Sequence, residues 1–442
     1  MRRRTVLSLF AMVIAGTLVG CGGHPNGEDT DGQYIDDESR SDAGSRLVSV
    51  EVDLSGEGTQ ALGDWKDENG IRMVQEFSRE LFLRSMDQQN PVLSPVSAYL
   101  AMAMAGSGAA GETLTEFHEV MGAEFEAASE AMMHTLPQDG ERLRVSIANS
   151  AWVDDQLSPV KMWSERVSTR YLAQVFYADL ATEQTMADIN DWVRDKTQGL
   201  IPGFLSQPLE EDDRLALFNS IYFKGDWSRK FLARDTQERE FIREDGHAVL
   251  TEFMAEYMEM RSYVQNSLGD GIILPYQDGN LAFVAIRPRE GLTVRQMYEQ
   301  LSVEALETLL SSGEERLVNL RLPKFEVTFD RVLNEDLEDM GLRRAFDGEQ
   351  VDLSGLGTTE TGYPLYISLV HQKAVIRVDE EGTEAAAVTE VIVTEETAML
   401  MPEDPIEVYF DRPFLYMILE MDTYVPLFLG IYENPPGALA CD

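Results

Sequence analysis

The side chains best able to act as general bases or metal ligands are five scattered histidines, His24, His118, His134, His247 and His371. None lies in an HExxH zinc motif, and the sequence also lacks the GxSxG nucleophile motif and the P-loop. His118 beside Glu119 on a predicted helix could supply half of a metal site, but a solvated helix face explains the same pair. The sequence therefore predicts neither an enzyme nor a metal or other cofactor.

The stretch from Gly106 to Gly111 matches the dinucleotide-binding pattern GxGxxG by letter. That pattern binds a cofactor only where it follows a strand and opens a helix. Here it follows a predicted helical run, Ala98 to Ala105, so the glycines are typical of a helix C-terminus and the turn after it.

The stretch from Val378 to Glu396 has a period of two residues. One alternating set is small or β-branched throughout: Thr383, Ala385, Ala387, Thr389, Val391 and Val393. The other set carries Glu384 and Glu390, so the stretch predicts a half-buried strand. Pro402 and Pro405 follow and cannot continue in a central sheet. The sequence thus predicts an exposed loop that could join a sheet as a strand.

This stretch resembles the hinge of the reactive-centre loop of inhibitory serpins. Further segments resemble serpin signatures in the family's order: SPVS at 94–97, IANSAWV at 147–153, NSIYFKGDW at 219–227, LPKF at 322–325, and DRPFLY with PLFLG within 411–430. The resemblance implies an α+β serpin fold. In that fold a large central β-sheet and further sheets are surrounded by helices, and the reactive-centre loop, here about residues 380–408, is exposed.

The resemblance also assigns roles to individual residues. The hinge would comprise Glu380, Glu381, Gly382, Thr383, Glu384, Ala385, Ala386, Ala387 and Thr389. Ser94, Ser97 and Asn219 would form the shutter under the central sheet, and Trp227 the breach where the loop first enters. Gln372 aligns with the shutter histidine of many relatives, and His371 falls one residue earlier. A glutamine amide donates and accepts as a neutral imidazole does, so we expect a shutter without pH sensitivity.

The implied function is suicide inhibition of a serine or cysteine protease that cleaves the loop and is distorted as the loop inserts. The family's usual spacing from Gly382 places the reactive bond at Glu396-Thr397. The loop is longer than in many relatives, and this leaves Met399-Leu400 and Leu400-Met401 as alternatives. A non-inhibitory serpin acting as a carrier or chaperone is the other interpretation. Thr383 and the alanines at 385–387 argue against it, since such relatives tend to carry bulky, charged or proline residues there.

The N-terminal region predicts export and a lipid anchor. Residues 1–20 have three arginines and an apolar run too short to span a membrane, as in a signal peptide. Cys21 follows directly, and Leu18-Val19-Gly20-Cys21 resembles a bacterial lipobox, so Cys21 is the predicted lipidation site. Residues 21–63 have the composition of an acidic flexible tether. We expect the folded domain at 64–436, a tail at 437–442, and a location in the cell envelope, lipid-anchored, or outside the cell.

The charge balance narrows the range of partners. The 442 residues carry a formal net charge of −42, which repels phosphate backbones, so no nucleic acid partner is expected. The region 112–133 has no basic stripe, and a heparin-type polyanion is not expected either. The expected partners are the target protease and the membrane that holds the lipid on Cys21, and the protein is expected to be a monomer. Cys441 has no intrachain partner once Cys21 is acylated.

The elements that must position the loop follow from hydrophobic periodicity. Helices are predicted around Val74 to Phe82, over the stretches 98–105, 159–173, 294–310 and 334–341, and from residue 187 until Gly199 and Pro202 stop the helix. Strands are predicted over 144–152, 240–254, 271–287, from 320, over 363–378 and over 409–434.

Overall fold

The computed structural model describes residues 46–47, 68–155, 157–159, 161–211, 213–359, 365–383 and 404–435. These residues belong to one structural unit that spans Asp37–Asp442. The predicted combination of helices with a large central sheet is confirmed.

The helices of the described residues are α1 (Glu68–Ser85), α2 (Pro95–Gly106), α3 (Gly111–Met121), α4 (Phe125–Thr135), α5 (Lys161–Arg170), α6 (Glu183–Lys196), α7 (Val294–Gln300), α8 (Val303–Ser311) and α9 (Asn334–Met340). Two 3-10 turns cover Ala233–Asp235 and Arg344–Phe346. The region 294–310, predicted as one helical stretch, contains two helices. The reason is Ser302, whose hydroxyl accepts a hydrogen bond from the N–H of Ala305 and so begins α8.

The strands are β1 (Arg46–Leu47), β2 (Val92–Leu93), β3 (Gln138–Asp139), β4 (Leu143–Asp154), β5 (Leu157–Pro159), β6 (Gln174–Ala178), β7 (Leu215–Asp226), β8 (Gln237–Ile242), β9 (Ala248–Gln265), β10 (Gly269–Pro275), β11 (Leu281–Pro288), β12 (Glu314–Pro323), β13 (Phe325–Val332), β14 (Gly357–Thr359), β15 (His371–Val378), β16 (Gly382–Thr383), β17 (Ile406–Tyr409), β18 (Phe414–Glu420) and β19 (Val425–Tyr432).

The strand predicted over 363–378 begins later than expected, at His371. Residues 365–370 lie outside any strand, and the side chain of Asn334 takes up backbone groups there. Its amide donates to the carbonyl of Ser368 and accepts from the N–H of Val370, both at 2.8 Å. These groups are therefore unavailable to a ladder.

Within the described residues, an eight-stranded central sheet and a nine-stranded second sheet dominate the structure. The central sheet runs β1-β6-β4-β7-β16-β15-β13, with β3 paired to β4. The second sheet runs β17-β12-β9-β10-β11-β18-β19-β2, with β8 paired to β9, and β14 pairs with β5. Many strands that are neighbours in a sheet are distant in sequence, so long-range pairing determines which side chains meet.

The central sheet is packed on both faces. Leu217 and Phe223 of β7 join the main core, which also contains the inner residues of the second sheet. Ala216 and Phe218 join a separate core with Trp192 of α6. Successive strand residues point to opposite faces. Side chains of one parity on β7 therefore face the second sheet, and those of the other parity face outward on the side of α6.

Candidate functional site at the loop hinge

The hinge turn, residues 379–381, connects β15 to β16. The carboxylate of Asp379 accepts hydrogen bonds from the backbone N–H groups of Glu381 (2.9 Å) and Gly382 (3.3 Å), a common way for aspartate to close a turn. Gly382 then passes so close to β7 that a Cβ there would lie 2.0 Å from the carbonyl oxygen of Gly225. The close approach of the two backbones therefore requires glycine at this position.

Thr383 lies between β7 and β15, opposite Gly225 on one side and Val378 on the other. It is only 2% exposed, and its hydroxyl lies 2.5 Å from that of Tyr276. Burial raises the pKa of Tyr276 above its usual value, so this hydroxyl keeps its proton. The last described hinge residue is thus seated in the sheet with its side chain in the core.

Trp227, which the resemblance assigns to the breach, packs against the hinge turn. Its indole Nε1 donates to the carbonyl of Asp379 at 2.8 Å, and its backbone N–H donates to the carbonyl of Glu381 at 2.9 Å. Its ring stacks on Tyr276 with centroids 4.9 Å apart. Trp227 therefore holds both ends of the turn and the residue that contacts Thr383.

Ion pairs fasten the two hinge glutamates to the body of the protein. Glu380 pairs with Lys324 at 3.0 Å and accepts from the hydroxyl of Thr236 at 2.8 Å, and Glu381 pairs with Lys230 at 2.5 Å. Burial tends to raise the pKa of Glu380, but the bonds from Thr236 and Lys324 outweigh it and the pKa lies below its usual value. Sequence reasoning did not assign a role to either lysine, although Lys324 stands in the LPKF segment.

We call the strip between β7 and β15 beyond Thr383 the slot. It is the predicted path of the loop. Within the described sheet, β7 and β15 are connected through β16 and no ladder joins them directly. If the chain continued past Thr383 in the same register, position 389 would lie opposite both Asn219 and Gln372. At about 3.4 Å per residue, that level lies roughly 20 Å along the slot from the hinge.

Gln372 lies at the level of position 389 in the slot and forms two hydrogen bonds with the start of α2. Its side chain is 6% exposed; the amide nitrogen donates to the carbonyl of Ser94 at 2.8 Å, and the amide oxygen accepts from the N–H of Ser94 at 2.9 Å. The hydroxyl of Ser94 accepts from the N–H of Ser97 as the helix cap. Gln372 therefore donates and accepts, as expected, and its partner is the backbone of Ser94.

Asn219 belongs to a second hydrogen-bond chain on the β7 side of the slot. The hydroxyl of Ser97 donates to the side-chain carbonyl of Asn219, and the side-chain amide nitrogen of Asn219 donates to the side-chain oxygen of Asn149. The amide nitrogen of Asn149 in turn donates to the backbone carbonyl of Tyr171 at 2.7 Å. Asn149 lies directly opposite Asn219 in the β4–β7 ladder. Sequence reasoning left Asn149 without a role. The signal that could have identified it is that asparagine is rare inside strands.

His371 lies on the other face of the sheet from Gln372, since adjacent strand residues alternate. Its Nε2 lies 2.6 Å from Asp330, and its ring packs on Phe204 with centroids 4.4 Å apart. Phe204 also contacts Phe218 of β7, so the chain that leads from α6 to β7 bridges the slot on its outer face. The side chain of His371 therefore lies on the opposite face of the sheet from that of Gln372.

Several predicted site residues lie outside the described residues. They are Glu384, Ala385, Ala386, Ala387 and Thr389 of the hinge, Glu396, Thr397, Met399, Leu400 and Met401 at the reactive bond, and Cys21 at the lipidation site. Among the residues that the structure describes, no cluster of three or more His, Cys, Asp or Glu could hold a metal ion. No helix in the described ranges is long and apolar enough to cross a membrane.

Comparison with known proteins adds to this geometry. The family described as serpin (serine protease inhibitor) matches residues 72–435. Iripin-3 of Ixodes ricinus is 33% identical over 395 residues, 87% of this chain and 97% of the relative. Alpha-1-antitrypsin 1-1 of Mus musculus is 33% identical over 372 residues, 81% of this chain and 87% of the relative. The native structure of tengpin, a thermophilic serpin, is 32% identical with a TM-score of 0.77, covering 83% of this chain and 95% of tengpin.

Proposed function

The chain belongs to the serpin family and has the serpin fold, and from this premise we propose that it is a suicide inhibitor of a serine or cysteine endopeptidase. Serpins are not enzymes, so the chain is not an enzyme. The observation that carries the proposal is the seating of Gly382–Thr383 as a strand between β7 and β15, at the mouth of the slot.

The proposed chemistry belongs to the target protease, and the inhibitor supplies the bond and the movement. The protease nucleophile attacks the carbonyl carbon of residue 396, the bond to Thr397 breaks, and Thr397 leaves as a free amine. An ester or thioester then joins the protease to residue 396. The released loop pairs with β7 and β15 along the slot and carries the attached protease away from the hinge. Distortion of its active site prevents hydrolysis of the acyl bond.

The reactive bond can be tested with trypsin, because no lysine or arginine lies between Arg377 and Arg412. We expect Glu396→Arg to form an SDS-stable complex with trypsin, since the new arginine offers a cut at the proposed distance from Gly382. Glu396→Gln is the matched control and should form none. The measurement is a denaturing gel with mass spectrometry of the released C-terminal peptide.

Met399→Arg and Leu400→Arg extend the same experiment to the alternative bonds. If Met399→Arg or Leu400→Arg forms a complex, and Glu396→Arg is cut without forming one, the reactive bond follows the residue whose variant formed the complex. If trypsin cuts all three variants and no complex forms, the chain is not an inhibitor, as expected for a carrier.

We also propose that the mature protein begins at a lipid-modified Cys21 and is held at a membrane surface through the tether. Two or more acyl chains give stable attachment. Full-length protein produced in a bacterial host is expected to partition into detergent, whereas Cys21→Ser should appear in the aqueous phase or keep its signal peptide. Equal detergent partition of the two proteins would contradict the lipid anchor.

A further inference from the structure

A row of basic side chains crosses the outer face of the central sheet at the level of the hinge. Arg144 of β4 and Lys224 of β7 are directly opposite in the ladder, and Arg377 of β15 stands on the other side of the slot. Each lies an even number of residues along its strand from Trp152, Phe218 or Val375, which pack on the side of α6. The three basic side chains therefore point to that same outer face. The whole chain has 36 basic and 78 acidic residues, so three cations in one row are against its overall composition.

Two of the three cations have a carboxylate partner among the described residues. Arg144 pairs with Asp139 at 3.0 Å, and Arg377 pairs with Glu326 at 2.9 Å. Both arginine side chains are 43% exposed, so they remain accessible from solvent. Like charges directly opposite in an antiparallel ladder, here Arg144 and Lys224, are destabilising. A further carboxylate between Lys224 and Arg377 would offset this repulsion.

The register of β16 identifies the residue that would arrive there. Thr383 is opposite Gly225 and Val378, so the next residue of an antiparallel strand is opposite Lys224 on one side and Arg377 on the other. Directly opposite residues point to the same face with Cβ atoms about 5 Å apart, within reach of an ion pair. Residue 384 is a glutamate.

We propose that Arg144, Lys224 and Arg377 form a receiving site for the carboxylate of Glu384 as the loop adds to the sheet. This inference rests on the proposed function, since it assumes insertion. The ion pairs would also set the register of the new strand: a one-residue slip exchanges the two faces and moves the glutamate into the core. The first step of insertion is accordingly sensitive to salt, because the site is exposed.

The site is tested by cutting the Glu396→Arg protein with trypsin and measuring how far the melting temperature rises. Adding Glu384→Gln should reduce the rise by about 2 °C at low salt and by less at high salt. Glu384→Arg, which places a fourth cation in the row, should reduce it by roughly twice as much and shift trypsin several-fold from complex formation towards turnover. Glu390→Gln is the matched control, because its place in the same register is opposite Phe218 and His371.

A charge exchange makes the test specific to the row. Lys224→Glu alone should reduce the rise in melting temperature, and Lys224→Glu combined with Glu384→Lys should recover at least half of the loss. If Glu384→Gln and Glu390→Gln behave alike at both salt concentrations, the receiving site does not exist, although insertion itself stands. If cutting leaves the melting temperature of the Glu396→Arg parent unchanged, insertion fails and the receiving site fails with it.

Discussion

Thr383→Arg is expected to abolish the proposed inhibition and leave the chain a substrate of the protease. Thr383 is the last described hinge residue, is 2% exposed, and bonds to Tyr276 within an aromatic cluster that includes Trp227. An arginine there would carry a cation into this core without a partner, at a cost of roughly 3–5 kcal/mol. Because each 1.4 kcal/mol is a factor of ten, insertion should slow at least about 100-fold. The acyl bond would then be hydrolysed before the protease is distorted.

The measurement combines the Glu396→Arg background with trypsin and compares covalent complex with released active enzyme. Thr383→Val is the matched control: it keeps the shape of threonine, loses only the hydroxyl contact with Tyr276, and should still form the complex. Cleavage at the same bond in every variant separates a failure of insertion from a failure of recognition. Equal inhibition by Thr383→Arg and Thr383→Val would mean that insertion does not require the side chain of residue 383 to be seated in the core.

Cutting the loop should raise the melting temperature of the protein by at least about 10 °C. Strands β7 and β15 are connected in the described sheet only through the two residues of β16. A strand that continues along the slot would add about ten ladder hydrogen bonds, each contributing on the order of 1 kcal/mol, which roughly offset the entropy lost by ordering the loop. The net gain in stability therefore comes from relief of strain in the uncleaved sheet. In a domain of this size each 1 kcal/mol corresponds to about 1–2 °C. The cut releases the C-terminal side of the loop and so permits this addition.

Calorimetry of the Glu396→Arg protein before and after trypsin treatment provides the measurement. Thr383→Arg in the same background is the control, and its gain on cutting should be much smaller, since the strand cannot start. A cut protein that melts at the same temperature as the intact one would refute insertion, whatever the gel assay shows.

The local elements near the site were largely predictable from the sequence. Hydrophobic spacing placed α1, α2, α6 and β4, and the glycine run at 106–111 follows a helix, as predicted. The start of β15 was wrong, because the side chain of Asn334 occupies the backbone of residues 368–370. That bond joins residues far apart in the chain, and no local pattern contains it.

The partners of the site residues were less predictable than the residues themselves. Gln372 was expected at the shutter, but its bidentate grip on the backbone of Ser94 depends on how β15 packs against the start of α2. The pairing of Glu380 with Lys324 likewise follows from the meeting of β13 and β15. Side-chain chemistry indicates which groups need partners, and tertiary packing selects them.

The sequence by itself determined the two-residue period of the loop, the inward parity of Thr383 and the glycine before it, because backbone alternation and steric limits act within a few neighbouring residues. Its resemblance to serpins also determined the family. Only the tertiary structure decided the register in which β16 meets β7 and β15, and hence that a strand continuing from Thr383 in this register would next pass between Lys224 and Arg377. The physical reason is that a sheet is built from hydrogen bonds between distant segments, whose relative alignment is set by the packing of the whole core.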